Sequence, residues 1–343
     1  MTDPVDGIII VDKATGFTSA SVVAALRRLL NERRVGHTGT LDPLATGVLP
    51  ICYGRATAAA TFMLNWNKRY LCDIELGTAT TTMDREGDVS ESATDPMTWK
   101  RFLDSNDEEA LGILSSTVSS LTEETCQKAP MYSAVKFKGK PLYKYAREGK
   151  DIERAQREIT VYESRFLKIN QGERGYPIVT VEFLVSPGTY IRVLADQLGR
   201  QLDCLGHVSK LRRLASGHFS VADAVRIDDL FELFGSLEKD PVKLRIELAE
   251  RGVLLPVRQA FIGWPRMELT KKEAIDLAHG KTIAPAVERV VVAEPLTALL
   301  APPPGNEWLA FVYNDKLVAV GKATQDVCRV QRVFTTPEDL LRE

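Results

Sequence analysis

The chain has 343 residues, with 44 Lys and Arg against 46 Asp and Glu, a net charge of −2, and 44% apolar residues. That length accommodates one large domain plus a smaller one, and the composition is that of a globular protein in water. The opening MTDPVDGIIIVDK carries acids and no long apolar run, which argues against a secretion signal or membrane anchor and for a cytoplasmic protein.

In chain order, GIIIVD (7–12) reads as a short buried strand and KATGFTS as a turn with capping hydroxyls. SASVVAALRRLLNERR (19–34) places Val22, Val23, Leu26, Leu29 and Leu30 at helical spacing, which predicts an amphipathic helix. VLPICYG reads as a strand, ATAAATFMLN as a helix and KRYLCDIELG (68–77) as a strand. A helix is expected around 96–111, strands at 158–169 and 177–185, and a turn entering a helix over SPGTYIRVLADQLGRQL. HVSKLRRLASGHFSV reads as a strand-like return, and a helix at 227–234 closes this region.

The pattern breaks near 257–268, at GWPRMELT. Beyond it come a short helix ending at Gly280, three strand-like segments (ERVVVAE, EWLAFVYNDKLVAVGKA and VCRVQRVF), and APPPG (301–305) as a rigid loop. Helices mixed with hairpin-like strands and no βαβ rhythm predict an α+β fold. The sheet is expected to be mixed and largely antiparallel, in a domain spanning 1–256, with a small β-rich domain at 257–343.

Cys52, Cys72, Cys126, Cys204 and Cys328 form no CxxC pair, and His37, His207, His218 and His279 show no ligand spacing. Free thiols and no metal site are therefore expected. Charge is polarised along the chain. Residues 84–124 carry eleven acids against Arg85, Lys100 and Arg101. Residues 136–157 carry eight bases, among them Lys136, Lys138, Lys140, Lys144 and Arg147, interleaved with Phe137, Tyr143 and Tyr145. A basic face with aromatics suits RNA, although a charge run also serves as a plain solvated surface.

One loop stands apart. RRVGHTGTLDPLATGVLP (33–50) holds a single carboxylate, Asp42, among three Thr, a His and three Gly. It fits neither a Walker loop nor a dinucleotide loop. Either the loop is a turn whose Asp42 accepts local backbone hydrogen bonds, or it presents Asp42 to a substrate.

GHTGTLDPLATGVLP resembles the catalytic segment of the TruB-type tRNA pseudouridine synthases. Five more stretches resemble that family in order over about residues 7–225: GIIIVDKATGFTS, KRY, APMYSAVKFKGKPLYKYAREG, GTYIRVLADQLG and LRRLASGHFSV. Ala14 and Ala129 stand where the family commonly has Pro. The tail resembles a PUA-type RNA-binding module, and residues 84–124 and 284–308 lie outside the match.

The resemblance implies an isomerase that converts uridine 55 of the tRNA T loop to pseudouridine, without cofactor or metal. It implies Asp42 as nucleophile, Arg192 as its partner and Tyr70 against the target base. It also implies Tyr190 and Leu211 as pocket walls and His37 as a wedge in the gap left by flipped nucleotides. An insertion at about 126–157 would clamp the T-arm, and the C-terminal module would reach the acceptor stem. Two other readings of the same residues are a guide-RNA-dependent synthase and an RNA-folding protein with incidental activity. With no heptad and no pairing edge in the sequence, a monomer is expected.

Overall fold

The computed structural model describes residues 6–104, 106–291, 299, 305 and 307–341. Its centre is a ten-stranded mixed sheet. Six strands form its body: β1 (Gly7–Lys13), β3 (Thr46–Tyr53), β4 (Lys68–Leu76), β5 (Val161–Gln171), β6 (Pro177–Val185) and β7 (Gly206–Ser216). They run in the order β5-β6-β4-β7-β3-β1, and a short β2 (Val35–His37) pairs with β3. All neighbours in the body are antiparallel except β7 and β3, which run parallel through Arg212–Thr46 and Arg213–Gly47. The expected α+β class with a largely antiparallel sheet is what forms.

Strand alternation explains why β1 and β3 are apolar on both faces. Ile9, Val11, Leu49 and Ile51 point into one core, which also takes Val22, Leu26 and Leu29 of helix α1 (Ser19–Leu29). Ile8, Ile10, Val48 and Cys52 point the other way, into a second core with Phe261, Trp264, Val312 and Phe334 from the C-terminal part of the chain. Each isoleucine so enclosed contributes about 1.5–3 kcal/mol relative to exposure.

The helices differ from expectation at their ends. α1 stops at Leu29, not Arg34, because the chain turns at Asn31, which takes φ 48°. The expected helix at 56–65 is a 3-10 segment Gly54–Ala59 followed by Ala60–Met63. The expected helix at 96–111 does not form as one piece. Its first turns end at Asp104, and Asp107 then caps a new helix, α2 (Glu108–Ser120), by accepting from the Ala110 N–H.

α3 (Ile191–Gln201) follows the turn at 186–190. After β7 the chain turns at Gly217 (φ 58°) and adds Phe219–Ser220 back onto β7. α4 (Ile227–Ser236) does not close the region: α5 (Pro241–Glu250) follows, capped by Asp240 with Pro241 in its first turn. The C-terminal β-rich part holds β8 (Arg266–Glu268), α6 (Lys271–Ala278), β9 (Trp308–Tyr313), β10 (Lys316–Ala323), β11 (Cys328–Val333) and α7 (Pro337–Leu341). The strand expected over 288–294 is described only at Val290–Val291, and most of the APPPG loop lies outside the described residues.

The C-terminal part is fastened to the sheet by aromatic and ionic contacts. Phe62 packs edge-on against Phe261, Trp264 and Trp308 with ring centroids 5.4–5.7 Å apart. Arg55 donates to Asp6 at 2.5 Å and to Asp339 of α7 at 2.6 Å. Among the described residues no helix is long and apolar enough to cross a membrane.

Candidate active site

The loop between β2 and β3 is tied down by backbone contacts that leave its carboxylate free. Ser19 of α1 holds Leu41 from both sides: the Leu41 N–H donates to Ser19 Oγ at 2.9 Å, and that hydroxyl donates to the Leu41 carbonyl at 3.2 Å. Lys13 Nζ donates to the carbonyls of Phe17 (2.6 Å), Ala14 (3.0 Å) and Pro43 (3.2 Å), which clamps the 14–17 turn to the loop. Arg213 Nη2 donates to the Gly39 carbonyl at 3.2 Å. Gly47 takes φ +99°, and a Cβ there would sit 2.2 Å from the Arg213 carbonyl, so only glycine fits.

The Asp42 side chain accepts no hydrogen bond from its own loop. Instead it faces a cavity of about 450 Å³ and is 32% exposed there. Arg192, in the first turn of α3, places Nε 3.0 Å from Asp42 Oδ2. Arg192 is only 3% exposed and is fixed by donating from Nη1 to the Thr82 carbonyl and from Nη2 to the Tyr132 carbonyl, both at 2.8 Å. A surface position for Arg192 is thereby excluded.

Asp84 is the residue that sequence reasoning missed. It is buried, with Oδ2 3.3 Å from Arg192 Nη1, and it accepts from the Thr82 hydroxyl (2.5 Å) and the Glu86 N–H (3.0 Å). In the sequence it is the first of eleven acids in a polar stretch. The signal was the turn TTMDREGD, in which Met83 takes φ 61° and aims Asp84 inward.

One guanidinium thus serves two carboxylates. Burial raises the Asp42 pKa above the usual carboxylate range; Arg192 opposes the rise, Asp84 adds to it and Lys13 opposes it. Burial lowers Lys13 to about 8, with Asp42 and Glu86 pulling it back up.

The other expected residues divide into two groups. Tyr70 on β4, Tyr190 before α3 and Leu211 on β7 line the same cavity as Asp42 and Arg192. Lys68, Arg157 and Arg213, which the sequence did not single out, line it too. His37 is not among the lining residues. It sits at the end of β2, where its Nδ1 accepts from the Gly39 N–H at 3.3 Å, and burial with Arg213 nearby lowers its pKa.

Lys136, Lys138, Lys140, Lys144 and Arg147 also lie away from the cavity. They occupy a hairpin (Lys136–Phe137 with Lys140–Pro141) and the short helix Leu142–Arg147. All are exposed except half-buried Lys140, which pairs with Glu148 and lies 4.6 Å from the Tyr145 ring centre. Lys138 stands over Phe137 and Arg147 over Tyr143, which leaves cations backed by aromatic rings on one surface.

A cavity-facing carboxylate paired with a guanidinium, beside a tyrosine and over the centre of a mixed sheet, is a candidate site for polar chemistry. Comparison with known proteins gives the class. Residues 27–191 match the TruB family pseudouridylate synthase N-terminal domain, and residues 192–261 match the tRNA pseudouridylate synthase B C-terminal domain. Two curated relatives carry the name tRNA pseudouridine synthase B. The one from Chromohalobacter salexigens is 39% identical over 279 residues, 81% of each chain. The one from Vibrio vulnificus strain YJ016 is 35% identical over 323 residues, 94% of this chain and 93% of its own.

Among solved structures, a Cbf5–Nop10–Gar1 complex matches 97% of this chain and 86% of its own with a TM-score of 0.66 at 24% identity. An archaeal box H/ACA sRNP Nop10–Cbf5 complex matches 97% and 88% with a TM-score of 0.63 at 23% identity. These two share the fold. The chain belongs to the TruB family of pseudouridylate synthases and is an enzyme, an isomerase. The family boundary at 191/192 falls at the start of α3, so both family segments contribute strands to one sheet.

Proposed function

We propose that this protein converts uridine 55 in the T loop of tRNA to pseudouridine without a cofactor, with Asp42 as the nucleophile. The reaction breaks the bond from the ribose C1′ to N1 of uracil, joins C1′ to C5, moves a proton off C5 and leaves one on N1. No redox partner or energy source enters this balance. The observation that carries the reading is the Asp42 carboxylate: free of its own loop, facing the cavity, and 3.0 Å from a buried guanidinium.

Attack on the sugar, attack on the base and removal of a sugar proton all need Asp42 ionised. Burial works against that state and Arg192 works for it. The target base must leave its stack, which costs a few kcal/mol. Stacking on Tyr70 recovers about 1–3 kcal/mol, and Tyr190 and Leu211 close the pocket around the base. Tyr70 also takes the C5 proton.

Outside the pocket, the exposed cations at 136–147 hold the T-arm backbone, and His37 fills the space the flipped nucleotides vacate. The division into a catalytic domain (1–256) and a PUA-like domain (257–343) on the acceptor stem, a monomeric state and a cytoplasmic location complete the reading. The test is unmodified tRNA transcript with tritium at C5 of uridine, incubated with purified protein and no additives. Release of one tritium per tRNA, mapped to position 55 by carbodiimide-dependent primer stops, is expected. Binding without release, or release only after adding a guide RNA, overturns the reading.

A further inference from the structure

The cavity holds more buried positive charge than Asp42 can use. Lys68 and Arg213 both line it and are 6% and 1% exposed. They stand close together at the β4–β7 seam, where Arg213 pairs with Tyr70 and Lys68 with Ser216 in the strand register. Neither forms an ion pair with a carboxylate among the described residues. Lys68 Nζ donates to the carbonyls of Leu64 (2.7 Å) and Trp66. Arg213 donates from Nε to the Val48 carbonyl at 2.6 Å and from Nη2 to Gly39.

Carbonyl acceptors need a donor, not a charge, and a neutral side chain would serve them. The largest charge effects on Asp42 come from Arg192, Asp84 and Lys13 instead. Two buried cations side by side repel each other and lose their hydration, a costly arrangement unless an anion joins them. Burial, with Arg213 beside it, pushes Lys68 down to about 7. A Cβ on Gly39, itself a cavity wall, would lie 3.7 Å from Arg213 Nη1, and that nitrogen makes no hydrogen bond to the described protein.

We propose that Lys68 and Arg213 form an anion site in the cavity wall that holds a backbone phosphodiester adjacent to the flipped uridine, and so fix the nucleotide's sugar over Asp42. The two are positioning residues: they act on the ribose through its phosphate. The inference rests on the RNA reading given above. It adds that the pocket grips a charged backbone group as well as a base.

The test uses the full chain and a T-arm stem–loop RNA tritiated at C5 of uridine. A neutral methylphosphonate replaces the phosphate on either the 5′ or the 3′ side of the target, one per RNA. One of the two replacements is expected to lower wild-type kcat/KM at least fivefold. In Lys68→Gln, which keeps a donor for the carbonyls, the same replacement is expected to cost less than twofold, because the cation it would deprive is gone. Lys68→Met is the second neutral variant, and Lys68→Arg is expected to restore the wild-type sensitivity.

Damage that is merely structural would multiply with the RNA change and leave its factor intact. The proposal is overturned if neither replacement costs the wild type fivefold, or if the full factor persists in both neutral variants. A wild type silent on the unsubstituted stem–loop sinks the functional reading along with it. An active but indifferent wild type sinks this inference alone.

Discussion

Replacing Arg192 with Met removes one cation from buried Asp84 and partly exposed Asp42 while keeping most of its volume. Asp42 and Asp84 each lose their ion-pair partner, at 3.0 and 3.3 Å. Breaking a buried pair from one side typically costs about 3–5 kcal/mol, because the remaining charge is stranded. At about 1.4 °C per kcal/mol for a chain of this length, the thermal midpoint falls by roughly 4–7 °C. The same change moves chemistry. The Arg192 cation holds the Asp42 pKa down against burial, so its loss lets that pKa rise further. If Asp42 must be ionised, the acid limb of the kcat–pH profile moves to higher pH. Tritium release from T-arm RNA across pH 5–9, beside thermal melts, measures both. Arg192→Lys keeps the charge but brings three donors to four acceptors, so it falls between wild type and Met on both scales. An unshifted limb together with an unchanged midpoint in Arg192→Met would refute the charge argument.

Three further outcomes follow from the same geometry. Because the folded-state pKa of Asp42 lies above its unfolded value, the native state holds the extra proton between them, and stability falls as pH rises through the folded pKa. Asp42→Asn is therefore expected to melt higher than wild type at pH 7 and level with it near pH 3; a lower midpoint at pH 7 contradicts this. Gly47→Ala puts a methyl 2.2 Å from the Arg213 carbonyl at φ +99°. It is expected to cost about 1–3 kcal/mol in denaturant melts and to lower kcat more than RNA affinity, since it shifts the Asp42 loop. Trp264→Ala empties the aromatic cluster of Phe62, Phe261 and Trp308 and is expected to cost about 3–5 kcal/mol, read by thermal melts; a loss under 1 kcal/mol would mean the C-terminal part is not fastened there.

Much of this fold was legible in the sequence. The apolar periodicity of α1, the alternation of β4 and the Thr-Gly-Thr-Leu-Asp-Pro loop each carry local information that survives folding. Helix ends were harder, because they turn on single caps: Asp107 restarting a helix inside the expected 96–111 segment, and Asp240-Pro241 opening one past Ser236. Both signals are present in the residues and were outweighed by the surrounding polarity. Arg192 beside Asp42 came through the family resemblance, but the other charged groups around the site were not legible. Asp84 looked like one acid among eleven, and Lys68 and Arg213 like ordinary strand cations. Only the β4–β7 pairing brings Lys68 and Arg213 to the cavity, and only the turn at Met83 brings Asp84 to Arg192.

The account depends most on the free carboxylate at position 42 of this TruB-family chain. Single-turnover tritium release from T-arm RNA by wild type and by Asp42→Asn, at equal and saturating RNA binding, tests it directly. The account predicts release by wild type and none above background by the variant, with both binding the RNA within about threefold. Release by Asp42→Asn within tenfold of wild type would contradict it.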